Sequence, residues 1–137
     1  MIRPETKGRA RALQLLCAWA LQDEPPMADV VAGVARLTGP EPMVLDRAEA
    51  LAAGVIGDLP AIDRAMAAAT DNWRLERIAM VERNVLRLGI HELREGVVPP
   101  RVAIDEAVRL AHWFCGTRAS ALVNGVLDRI AHDLGRL

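Results

Sequence analysis

The stretch "ERNVLRLGIHEL", residues 82–93, carries apolar residues at helical spacing yet places Glu82 and Glu92 among them. Advancing about 100° per residue from Leu75, the set Ile78, Val81, Val85, Leu86, Gly89 and Leu93 covers a broad arc. Glu82 falls near its middle, Glu92 near one edge, and Met80 projects from the polar side. A single straight helix fits this pattern badly. A break near Met80 resolves it, because Glu82 then stands in the first turn of a new helix, where free amides and the macrodipole favour a carboxylate. Glu92 stays beside the core, where an arginine would lower its cost. Arg87 is five residues away and outside the favoured helical spacing, which leaves an arginine such as Arg11 of the first helix as a candidate partner. As a catalytic pair the two carboxylates have no reason in the sequence to converge on one substrate.

Outward from this segment the chain reads as all-α. No stretch alternates with period two, Ala and Leu dominate, and aromatic residues make up 3%. A helix over residues 6–22 places Ala10, Leu13, Leu16, Cys17 and Ala20 on one side and stops at "QDEPP". A second spans 27–37 and stops at "TGPEP". Asp46 can cap a third, with a stripe through Leu51, Val55 and Ile56, and Asp58 with Pro60 starts a fourth. After "TDNW" come residues 75–95, then "GVVPP", then helices over 102–114 and 117–134. At 137 residues, without a linker or an internal repeat, the chain reads as one domain, 1–137.

Composition narrows the function classes. Apolar residues are 52% and charged residues 26%, and no apolar run approaches the roughly 18 residues of a membrane span. The basic start lacks the apolar core and cleavage site of a secretory signal, so a soluble, cytoplasmic protein is expected. Cys17 and Cys115 have no C-x-x-C spacing and read as core or semi-buried thiols. His91, His112 and His132 lie on different predicted helices without H-x-x-x-H spacing, so neither metal nor cofactor is expected. "AGVIGDLP" has glycines but no preceding strand and no G-K-[ST], and Ser120 lacks a G-x-S-x-G context. These features argue against an enzyme. The net charge is -1, yet through residue 11 Arg3, Lys7, Arg9 and Arg11 face Glu5 alone, a concentration that attracts phosphate whatever the global sum.

At this point three segments resemble the bacterial transcription antitermination factor NusB family: "DNWRLERIAMVERNVLRLGIHEL", "VPPRVAIDEAVRLAHWF" and "LVNGVLDRI", in order across residues 71–130. The opening "GRARALQLLCAW" is similar to the family's basic first segment, whereas residues 23–60 resemble it only in helical character. The resemblance implies about seven helices in two bundles and no catalytic residue. It implies an adaptor that, with the ribosomal protein NusE, holds single-stranded boxA RNA in an antitermination complex with RNA polymerase, and a possible homodimer. Carried over onto this chain, RNA would meet Arg3, Lys7, Arg9, Arg11, Arg118 of the "GTRAS" loop, and Asn124. NusE would meet the polar flank with Glu76, Glu82 and Arg83. An exposed arm further implies that removing Arg9 and Arg11 leaves thermal stability nearly unchanged. Asn124 and Gly125 also admit a structural reading, the amide fixing the helix start, at about 1 kcal/mol or more, and the glycine permitting close helix contact.

Departures from the family pattern are as informative. Cys17 stands where relatives commonly have an aromatic, His91 where they have Tyr, and Ala121 and Leu122 where they have a Lys-Phe pair. Since stacking contributes about 1–3 kcal/mol per base, the missing rings predict weaker RNA binding or discrimination placed elsewhere, with Trp19 or Trp113 as substitutes. Two other readings follow from these departures and from the fold: a helical adaptor that binds only protein, and the RNA-binding module of ribosomal RNA cytosine methyltransferases.

Overall fold

The computed structural model describes residues 2–70 and 77–137. Among these the chain forms α1 (Pro4–Leu21), α2 (Met27–Thr38), α3 (Pro42–Gly57), α4 (Leu59–Ala69), α5 (Met80–Glu95), α6 (Pro100–Cys115) and α7 (Thr117–Asp133), and no strand. The all-α reading and the seven helices of the resemblance are both present. Proline sets several starts: Pro4, Pro42 and Pro100 are first helical residues, where the missing N–H costs no hydrogen bond. The third helix therefore begins at Pro42, and Asp46 lies inside it rather than capping it.

Residues 1–57 make one packing unit. Its core gathers Ala12, Leu13, Leu16 and Trp19 of α1, Val30 and Val34 of α2, and Leu45, Ala48, Ala52 and Val55 of α3. Gly8 sets the approach of α1 to α3, since a Cβ there would meet Arg47 Cδ at 3.0 Å. Trp19 is core packing and no substitute for a lost stacking ring. After α1 the chain turns through Asp23 and Glu24, both with positive φ, before Pro25.

Residues 58–137 make a second unit. Helix α5 buries Val85, Leu86, Leu88, Ile90 and Leu93 and packs on both α6 and α7, whose own buried residues include Ile104, Ala107 and Leu110 and Val123, Leu127 and Ile130. Gly89 is the close-approach point: a Cβ there would lie 2.5 Å from Leu127 Cδ1 and 3.3 Å from Ala107 Cβ. Helix α4 is fastened to α5 by two arginines. Arg87 donates from Nε and Nη2 to the two oxygens of Asp63, both at 3.0 Å, and Arg94 reaches Asp58 at 3.2 Å. Asp58 does stand at the start of α4, but its side chain makes no cap hydrogen bond and is taken by Arg94 instead.

The break expected near Met80 is where α5 begins, with extended Ala79 before it. Glu82 occupies the first turn, as its charge favours, and Glu92 is buried in the last. Ten residues at about 1.5 Å each separate them by roughly 15 Å along the axis, so they share no reacting atom. Arg11's ion pair is with Glu41, which leaves the candidate partnership with Glu92 without support.

Candidate nucleic-acid and partner interface

Four residues of α-helix advance about 400°, so positions 3, 7 and 11 stack along one face while position 9 points roughly the other way. The structure obeys this geometry. Arg3 and Lys7 are exposed and Arg11 is half-buried, whereas Arg9 is 6% exposed. The sequence reading grouped the four cations into one patch and expected Arg9 to be dispensable for stability. Its burial overturns that expectation, because a buried guanidinium is part of the packing and charge balance of the fold.

The exposed ridge of α1 has its own electrostatic neighbours. Lys7 Nζ lies 3.7 Å and Arg11 Nη2 3.6 Å from the carboxylate of Glu41, and Arg11 Nη1 donates to Gln14 at 3.1 Å. Arg47 lies 3.4 Å from Glu5. Glu5 is held below the usual carboxylate range, first by hydrogen bonding to its own backbone at the helix start and then by Arg47. It lies at the surface, so this is a bias on its protonation rather than a large store of stability.

A second surface forms where α6 meets α7. Gly116, with φ of 97°, is the single residue between Cys115 and Thr117, a conformation that suits glycine. Beside this corner is a hollow of about 530 Å³ lined by Glu82, Cys115, Arg118, Ala119, Ala121 and Leu122. It brings together Glu82, expected to face a protein, and Arg118, expected to face RNA. Arg83 is half-buried and turns back to donate to the Ile78 carbonyl at 3.4 Å. Glu76 lies outside the described residues.

Asn124 and Gly125 are exposed in the middle of α7. Asn124 does not fix the helix start, and a Cβ on Gly125 would meet nothing within 4 Å. The reading of Gly125 as a helix-contact glycine is therefore corrected. An exposed mid-helix glycine costs about 0.5–1 kcal/mol against Ala, and no packing among the described residues accounts for it.

Of the positions lacking family aromatics, Cys17 and His91 are half-buried, His91 lying 3.8 Å from Glu95, and Leu122 lines the hollow. Trp113 and Phe114 are each 46% exposed at the end of α6, with the Arg109 guanidinium 5.9 Å from the Trp113 ring centre. Sequence reasoning missed Glu41, although its seat between Pro40 and Pro42 was a visible signal of a fixed position. No group of three or more His, Cys, Asp or Glu residues among the described ones could hold a metal ion, and no described helix is long and apolar enough to cross a membrane.

Comparison with known proteins adds independent findings. The model of the NusB family matches residues 6–132. The transcription antitermination protein NusB of Sorangium cellulosum is 47% identical over 132 residues, covering 95% of this chain and 93% of that protein. That of Anaeromyxobacter dehalogenans is 40% identical over 135 residues, covering 98% and 94%. Among solved structures, NusB of T. maritima superposes with a TM-score of 0.82 at 28% identity, covering 97% of this chain and 94% of that one. A crystal structure of antitermination factors NusB and NusE in complex with dsRNA gives 0.84 at 25%, covering 97% and 99%.

Proposed function

The chain belongs to the NusB family, and from that membership we propose that it is a cytoplasmic, non-enzymatic antitermination factor that holds boxA-type single-stranded RNA together with NusE. The observation that carries this reading is the shared hollow, in which Glu82 and Arg118 line one wall system. A carboxylate suited to a basic protein and a guanidinium suited to a phosphate adjoin there, so RNA and protein can be held side by side. The similarity to the NusB chain crystallised with NusE and dsRNA supports the same pairing of partners.

The chain's own groups divide the work. Arg3 at the start of α1, Lys7 and Arg11 on it, and Arg118 on α7 meet the sugar-phosphate backbone, and four such contacts set an upper bound of roughly -2.8 on the log-log salt slope for single strands. Asn124 supplies an exposed amide that can reach a base edge. Glu82 meets NusE, while Arg83, turned back on its own helix, helps to place the start of α5.

Binding measurements with purified NusE and a labelled boxA-type RNA test the reading. Glu82→Lys should lose NusE at least tenfold while the fold, followed by circular dichroism, is retained. Arg118→Ala should weaken RNA by about three- to tenfold with NusE binding unchanged. Full retention of both affinities in these variants would refute the assignment of this surface.

A further inference from the structure

The bridge between α2 and α3 is short and stiff. Gly39 ends α2 in a left-handed conformation with φ of 89°, Pro40 fixes the next φ, and Pro42 is the first residue of α3. Glu41, caught between the two prolines, is restricted to extended backbone by the ring that follows it. Its carbonyl is anchored by the Leu45 N–H at 2.9 Å. The sequence thus fixes the backbone of this acid from both sides.

What the fixed acid faces is the ridge of α1. One carboxylate oxygen lies 3.7 Å from Lys7 Nζ and the other 3.6 Å from Arg11 Nη2. A single anion presenting two oxygens to two cations on successive helical turns is also what the non-bridging oxygens of a phosphodiester would present. Both separations exceed hydrogen-bond length, and the three side chains are 46%, 24% and 39% exposed. Pairs of this kind are weak and exchangeable. The short Arg87–Asp63 pair, by contrast, is a fixed part of the fold.

We infer that Glu41 is a built-in competitor for the RNA backbone: its carboxylate fills, in the free protein, the seat between Lys7 and Arg11 that a phosphate takes in the complex. The inference rests on the proposed role of α1 in RNA binding and adds to it a residue that sets affinity. RNA arriving at this seat replaces an internal anion. The gain is therefore smaller than the cation count predicts, and the salt response is shallower.

The test uses the full chain, a fluorescently labelled single-stranded boxA-type RNA, and anisotropy titrations over a series of salt concentrations. Glu41→Gln keeps the shape and removes the charge. It should tighten binding about three- to tenfold at low salt and steepen the log-log slope by up to roughly 0.7, with an unchanged melting temperature. The double variant Lys7→Gln, Arg11→Gln should bind weakly, and adding Glu41→Gln to it should give no gain. If the double variant binds weakly but Glu41→Gln alone gives no gain, or a loss, the competitor role is overturned and the RNA surface stands. If the double variant binds as tightly as the unmodified protein, the α1 surface fails as an RNA site, and the Glu41 inference fails with it.

Discussion

Arg87 in the C-terminal unit and the cations along α1 in the N-terminal unit are held in opposite ways. Arg87 grips both oxygens of Asp63 at 3.0 Å with only 13% of its side chain exposed, whereas Arg94 meets a single oxygen of Asp58 at 3.2 Å between groups that stay at the surface. In the N-terminal unit the pairs of Lys7, Arg11 and Arg47 are looser, at 3.4–3.7 Å between half-exposed groups. Short, sheltered, two-pronged pairs fix helix against helix, whereas long exposed ones leave their cations available to an incoming anion. Counting cations along the chain therefore overstates what can bind: some are structural, and geometry tells which.

The comparison breaks most severely at Arg9, the N-terminal arginine that behaves like a C-terminal one. Arg9→Ala should cost about 3 kcal/mol because a buried charge is removed together with the interaction it makes. Thermal denaturation should show a drop of many degrees, and an unchanged midpoint would mean that the burial has no energetic weight. Next in size is Arg87→Ala, which removes three hydrogen bonds, two of them to the Asp63 carboxylate, and should cost about 1.5–3 kcal/mol by urea unfolding. Combined with Asp63→Ala the losses should be far from additive, and additive losses would place Arg87 with the loose pairs. The smallest effect concerns Glu5. Its folded pKa is lowered, so its contribution is present above the ordinary carboxylate range and fades as pH falls through the lowered value. Glu5→Gln should lower the neutral side of a melting-temperature profile slightly and leave its most acid end unchanged.

Local rules carried most of the fold. The conflict between Glu82, Met80 and a straight apolar stripe located the start of α5, because first-turn electrostatics and helical periodicity are both short-range. "TGPEP" ends α2 as its composition suggests, but Pro42 also begins α3, which places Asp46 in the helix interior rather than at a cap. Arg9 was misplaced for want of one step of the same arithmetic, since 3, 7 and 11 share a face and 9 does not. The meeting of Glu82 with Arg118 is of another kind. It depends on α5 and α7 packing through Gly89 and Leu127, a tertiary contact that no local pattern encodes. Glu41's position against α1 likewise needs the fold of a whole unit, although the stiffness of its backbone was already written in its neighbours.

The lone residue joining α6 to α7 has an architectural consequence. With Gly116 as the whole connection, the lip of the hollow is a helical corner and not a swinging loop. Little motion must be frozen when a partner docks, so substitutions on this lip should alter residence time more than the rate of encounter. The same economy leaves no slack for added length at the corner, and variation in chain length among related proteins must be absorbed at other connections.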